Sequence, residues 1–166
     1  MWWPDATLPP DPRRRSDNAV LVLAAVAANA FLSAFGGTWA CTQHVPGVVA
    51  APVSTWTIAP APRSTWIVVY RTSRNRNDTA FVGYLTPEQQ WIYEDFQSDG
   101  SFATETSGGP QNGTWTWSGV YTTPQHVLHG AVQWRREGSG MRQGFGRLIG
   151  PSFRESTYAM YRPIRR

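Results

Sequence analysis

A chain of 166 residues is one domain by length and long enough to bury a substantial core. A single cysteine, Cys41, excludes an intrachain disulfide and a cysteine-based zinc site. The formal charge of +4 comes from 15 arginines and no lysine, scattered too widely to specify a nucleic-acid partner.

Residues 1–18 are rich in proline and charge and lack periodicity, which predicts a disordered leader. Arg13, Arg14 and Arg15 then precede an uncharged apolar run, Ala19–Ala28, and the triplet Ala28-Asn29-Ala30 follows. Basic flank, apolar stretch and small-x-small triplet is the order of a secretory signal, so 19–30 reads as its hydrophobic region. Carried on through Phe31, Leu32 and Phe35, the same run reaches the lower limit of about 17 residues for a membrane span. In a third reading, 19–35 is a helix capping one end of the domain. Asp17 and the proline-bearing leader are atypical of a signal, and the three readings stay open. The first two place the rest of the chain outside the cytoplasm, whether periplasmic, secreted or membrane-anchored, with the basic flank inside.

From Phe35 onward the chain is a series of short runs rich in Thr, Val, Ile and aromatics. The predicted strands are 37–43, 54–59, 65–72, 79–85, 90–97, 101–106, 113–122, 127–136, 141–149 and 153–162. Between them lie hairpin breakers, among them Thr86-Pro87, Ser98-Asp99-Gly100, Asn112-Gly113, Gly138-Ser139-Gly140 and Gly150-Pro151. Alternation is clear in three places. Trp115, Trp117 and Tyr121 oppose Thr114, Thr116, Ser118 and Val120. Leu128, Gly130, Val132 and Trp134 oppose His129, Ala131, Gln133 and Arg135. Trp66, Val68 and Tyr70 oppose Thr65, Ile67, Val69 and Arg71. Period two with one polar face marks a sheet buried on one side. Gly83, Gly119, Gly130, Gly144 and Gly146 fall within strands, where bulges or coiling would use them. The expected fold is all-β, a single antiparallel up-and-down barrel of about ten strands over 31–163. A separate N-terminal apolar helix precedes it and a short basic tail, 164–166, follows. A sandwich is the alternative.

The order of several pieces resembles the calycin-like barrels, which include lipocalins, fatty-acid-binding proteins and nitrobindin-like heme barrels. The nearest likeness is to an uncharacterised bacterial group with the same plan. The pieces are Phe35-Gly-Gly-Thr-Trp39, Val82-Gly-Tyr84, Trp91-Ile-Tyr93, Asp99-Gly100 and Tyr161-Arg162. The resemblance implies neighbouring first and last strands, with Arg162 packed over the Trp39 indole as a closure device. It also implies a lumen for a small apolar or amphipathic ligand. Nitrobindin-like barrels hold heme through a late histidine, but Met141–Arg162 contains none. No cofactor is therefore expected.

The candidate lumen residues are Tyr84, Trp91, Tyr93, Trp115, Trp117, Tyr121 and Trp134, with Glu94 and Arg147 as further polar anchors. The aromatics either fill the barrel or line a cavity; turned outward, they would suit a carbohydrate or protein partner. His44, His126 and His129 show no metal-ligand spacing. Glu94 and Asp95 are adjacent and point to opposite sides of a strand. Glu94, Glu105 and Glu155 could meet across a lumen with Arg147 or Arg71, although solvated surface charge is the simpler state. No catalytic triad, phosphate loop or dinucleotide motif is present. The expected function is an exported, non-catalytic binder of a small apolar or amphipathic molecule, with a membrane anchor through 19–35 among the open readings. The alternatives are a barrel isomerase or cyclase, and a surface interaction module with a filled barrel.

Overall fold

The structure, a computed structural model, describes residues 12–45, 47 and 54–164. Residues 1–11 of the predicted leader and Arg165 and Arg166 of the predicted tail lie outside them. One helix, α1 (Pro12–Phe35), precedes eleven strands. They are β1 (Gly37–His44), β2 (Ser54–Pro60), β3 (Ile67–Ser73), β4 (Arg76–Leu85), β5 (Gln90–Phe96), β6 (Phe102–Ser107), β7 (Pro110–Gln111), β8 (Thr114–Thr122), β9 (Val127–Glu137), β10 (Gly140–Ile149) and β11 (Ser152–Pro163).

Each long strand pairs antiparallel with the next, β6 pairs with β8, and β1 pairs with β11. The result is a closed ten-stranded antiparallel barrel with one separate N-terminal helix, as the alternation predicts. The two-residue β7 is an addition to the predicted set. It forms a tight hairpin with β8 through Asn112 and Gly113, both at positive φ (50° and 76°). That is the conformation a two-residue primed turn demands and the Asn-Gly pair supplies. The register of β10 against β11 shifts between Phe145 and Gly146, a bulge within the glycine-bearing strand.

α1 starts at Pro12, inside the stretch read as leader, where proline's fixed φ suits a first helical turn. Ala24, Ala28, Phe31 and Phe35 recur at spacings of four, three and four, which puts them on one helical stripe, and all four are buried. Small alanines let the backbone approach the barrel; the two phenylalanines then enter it. Residues 19–23 are exposed on every side. Among the described residues, no helix is long and apolar enough to cross a membrane.

Phe31 and Phe35 plug one end of the barrel. Phe31 has Trp91, Trp115, Trp117 and Trp134 with ring centroids 5.1 to 6.2 Å away, in edge-on or tilted arrangements. Ile58, Ile67, Val69, Val82 and Met141 complete this core. The Trp39 indole N–H donates to the Phe35 carbonyl at 2.9 Å, so the first strand caps a helix-end acceptor that would otherwise be buried and unpaired.

Closure through Trp39 takes a different form from the one expected. Arg162 stands opposite Ala40 in the β1–β11 register and is exposed, on the outer face, while Trp39 points inward. The cation over the Trp39 ring is Arg136, at the end of β9, with its guanidinium carbon 5.0 Å from the ring centroid. Period two separates neighbours such as Trp39 and Ala40 to opposite faces, and that places Arg162 on the wrong side. Arg136→Ala is expected to lower stability by about 0.5 to 1 kcal/mol through loss of this contact. Arg162→Ala should leave the denaturation midpoint unchanged; urea titrations of both variants make the comparison.

Candidate functional site

The inward residues of each strand run from the aromatic plug toward the opposite end and change character on the way. On β5 they are Trp91, Tyr93 and Asp95; on β8, Trp115, Trp117, Gly119 and Tyr121; on β3, Ile67, Val69 and Arg71. The plugged half is occupied by the core cluster around Phe31 and Phe35. The other half is lined by polar side chains and holds two adjoining cavities of about 480 Å³ and about 330 Å³. Trp56, Arg71, Gln97 and Phe145 line both.

Arg71 is the centre of the polar half. It forms an ion pair with the buried Asp95, and Asp78 Oδ2 lies 3.8 Å away. Its guanidinium carbon sits 5.2 Å from the Trp56 ring centroid. Gln97 Nε2 donates to Asp95 Oδ2 at 3.1 Å, and the Tyr121 hydroxyl donates to Gln97 Oε1 at 3.2 Å. Arg76 reaches Gln97 Oε1 and Asp99 near the mouth. A guanidinium suits this role because it stays charged and satisfies several acceptors from one plane. Deeper in, the Tyr161 hydroxyl donates to Gln143 Oε1, and both residues are buried.

Glu105 faces the larger cavity from β6, opposite Tyr93 on β5 and Gly119 on β8. It makes no hydrogen bond or ion pair with the described residues. Burial, with the Asp95 charge adding to it, pushes its carboxyl up to about 7, against the pull of Arg71. Burial also raises the Asp95 carboxyl, opposed by Arg71. Tyr93 and Tyr161 are raised by burial and stay neutral phenols. The Cys41 thiol, which lines the smaller cavity, is raised by burial too, and so is a poor nucleophile.

A carboxyl raised from 4.5 to about 7 on folding binds protons more tightly in the native state. Its contribution to stability is therefore fully present below about pH 4.5 and lost as pH rises through about 7. Glu105→Gln is expected to gain about 2 to 3 kcal/mol over the wild type at pH 8 and nothing at pH 4. Urea denaturation at the two pH values measures the difference.

The predicted site residues divide cleanly. Trp91, Tyr93, Trp115, Trp117 and Trp134 are buried in the core cluster, with Tyr84 packed against its edge. Of these, Tyr93 also forms part of the cavity wall, and Tyr121 lines the cavity near its mouth. Glu94 is on the outer face, accepting from the Thr104 hydroxyl at 2.8 Å. Arg147 is exposed beyond the β10 bulge. Glu155 is outside as well, paired with Arg142. Arg71 and Glu105 thus meet in the lumen without Arg147, Glu94 or Glu155. Asp95, Gln97, Gln143, Trp56 and Phe145 are among the cavity residues that sequence reasoning missed. The available signal was phase: Asp95 shares its face with Trp91 and Tyr93, and Gln143 its face with Met141 and Phe145.

His44 stacks on Tyr158 at 4.7 Å on the outer face, while His126 is in a loop and His129 is exposed at the cavity mouth. Among the described residues, no three His, Cys, Asp or Glu side chains are grouped to hold a metal ion. Compared with protein-family models and with curated proteins, the chain matches none.

Proposed function

We propose that this chain is a calycin-like barrel that binds a small amphipathic molecule in the open half of its lumen, without catalysis. The observation that carries the reading is the cavity of about 480 Å³. Its size falls in the usual range for small-ligand pockets, which pair an apolar wall with a few placed polar groups. Leu128, Val132 and Phe145 supply the wall, and Arg71, Asp95, Glu105 and Tyr121 the polar groups. No cofactor and no nucleic acid enter the proposal.

Native mass spectrometry of protein purified from its own host tests it. A small molecule held noncovalently and released on denaturation is the expected result. A bare chain that a panel of amphiphiles also fails to stabilise against heat would overturn it.

A second reading, a barrel isomerase or cyclase acting on the bound molecule, is favoured by one feature. Glu105 combines access to the cavity with a carboxyl pushed up to about 7, suited to proton transfer near neutral pH. In that case Glu105→Gln would retain the ligand and lose turnover.

The proposal also places the barrel outside the cytoplasm, held near a membrane by α1. Its supports are the arginine-flanked apolar run and the exposed Val20, Leu21, Val22, Leu23 and Val26 on the free half of the helix. Because α1 continues through Ala28-Asn29-Ala30 and buries Ala24 and Ala28, which cleavage after Ala30 would remove, retention of the helix is favoured over cleavage. N-terminal sequencing of the exported protein distinguishes the two: a terminus at Phe31 would overturn retention, and a purely cytosolic protein would overturn export.

A further inference from the structure

The charges that line the larger cavity do not balance, and the imbalance has a location. Arg71 is engaged by Asp95 on β5, with Asp78 on β4 close by. Arg76 is engaged by Asp78, Asp99 and Gln97. Among the described residues, Asp78, Asp95 and Asp99 therefore each have a cationic or hydrogen-bonding partner and Glu105 has none. Glu105 also faces the larger cavity, whose lining includes the apolar Leu128, Val132 and Phe145. The titratable and charged side chains that share this cavity with it are Arg71 on β3, Tyr93 and Asp95 on β5, Tyr121 on β8 and His129 on β9.

Glu105 is half-buried, and a carboxylate partly withdrawn from water without a partner is costly to ionise; the cavity beside it leaves room for a ligand to provide one. An anionic head group would meet Glu105 and Asp95 with Arg71 already committed. A hydroxyl would leave the charge uncompensated. An ammonium satisfies it, and Tyr93 and Tyr121 on the flanking strands line the same cavity.

We propose that the lumen accepts an amphiphile bearing a primary amine, its ammonium paired with the Glu105 carboxylate and its alkyl part laid along Leu128, Val132 and Phe145. This rests on the ligand-binding reading above and names the class of ligand. Because the ammonium pairs with the ionised carboxylate, binding tightens as pH rises from 5 to 8, where an alkylamine remains protonated.

The test is calorimetric titration of the full chain with octylamine, octanol and octanoate, below their aggregation concentrations, at pH 5 and pH 8. Octylamine is expected to bind at least about tenfold more tightly than octanol at pH 8, which corresponds to about 1.4 kcal/mol. Octanoate should bind most weakly, and Glu105→Gln should abolish the preference for the amine while keeping octanol binding. Octanol or octanoate binding as tightly as octylamine, or an amine preference that survives in Glu105→Gln, would overturn the amine assignment and leave the ligand-binding reading standing. Failure of all three to bind at either pH would overturn both.

Discussion

Phe31→Ala is expected to destabilise the barrel by about 3 to 5 kcal/mol, the largest loss from any single side-chain truncation in the helix. Phe31 is fully buried and touches indoles from three strands: Trp91 on β5, Trp115 and Trp117 on β8, and Trp134 on β9. Deleting it removes the ring's own burial and leaves a void that four rigid indoles cannot collapse to fill. A loss of this size is a large fraction of the stability of an ordinary domain. Urea denaturation should show a lower midpoint at an unchanged slope. Val26→Ala, on the 62 % exposed side of the same helix, is the control and should shift stability by less than about 0.5 kcal/mol. An equal effect from both variants would mean that Phe31 is no plug.

Gly119→Ala is expected to cost about 3 kcal/mol or more, although it adds only one methyl group. A Cβ at Gly119 would be driven onto the Thr104 carbonyl, 2.9 Å from its carbon and 2.7 Å from the Glu105 Cα. Those atoms are backbone of the paired strand β6, so relief requires β6 and β8 to separate. Gly130, its cross-strand neighbour, meets nothing closer than the Gly146 carbonyl oxygen at 3.6 Å, and Gly130→Ala should fold with little loss. Because Gly119 stands opposite Glu105, the damage should also reach the cavity: any Gly119→Ala protein that folds should lose ligand affinity. Thermal and urea unfolding of the two alanine variants, side by side, checks the first claim.

Strand positions were legible because two independent signals coincide in this chain. Side chains alternate with period two, and Gly, Pro, Asn and Asp punctuate the runs. The facing of Trp115, Trp117 and Trp134 follows from that alternation alone. The same rule, applied consistently, excludes Glu94 from the lumen once Tyr93 faces in, since adjacent residues cannot share a face. Arg147 escapes the rule for another reason: the Phe145/Gly146 bulge breaks the phase on β10, and sequence alone does not show where a bulge falls. The pairing of Trp39 with Arg136 depends on which strand ends meet in space, and no local pattern carries that. Arg71 and Asp95 stand in phase with the apolar residues of their strands, Val69 and Tyr93, a signal the sequence reading did not use; Glu105, between Ala103 and Ser107, carried no such mark and read as surface charge.

The pairing of β1 with β11 joins the two ends of the described barrel, and the Thr157 hydroxyl donates to the His44 carbonyl across 113 positions of sequence. During synthesis, β1 emerges with one margin unsatisfied and keeps it until β11 has left the ribosome. Through that interval the indole-rich interior lacks its final stave, and the nascent chain presents both a sticky border and an oily hollow. Contacts this distant in sequence also form slowly. The ring therefore depends on whatever shields that border in the meantime, and its yield should respond to translation speed and to holding chaperones more than to the strength of any one interior contact.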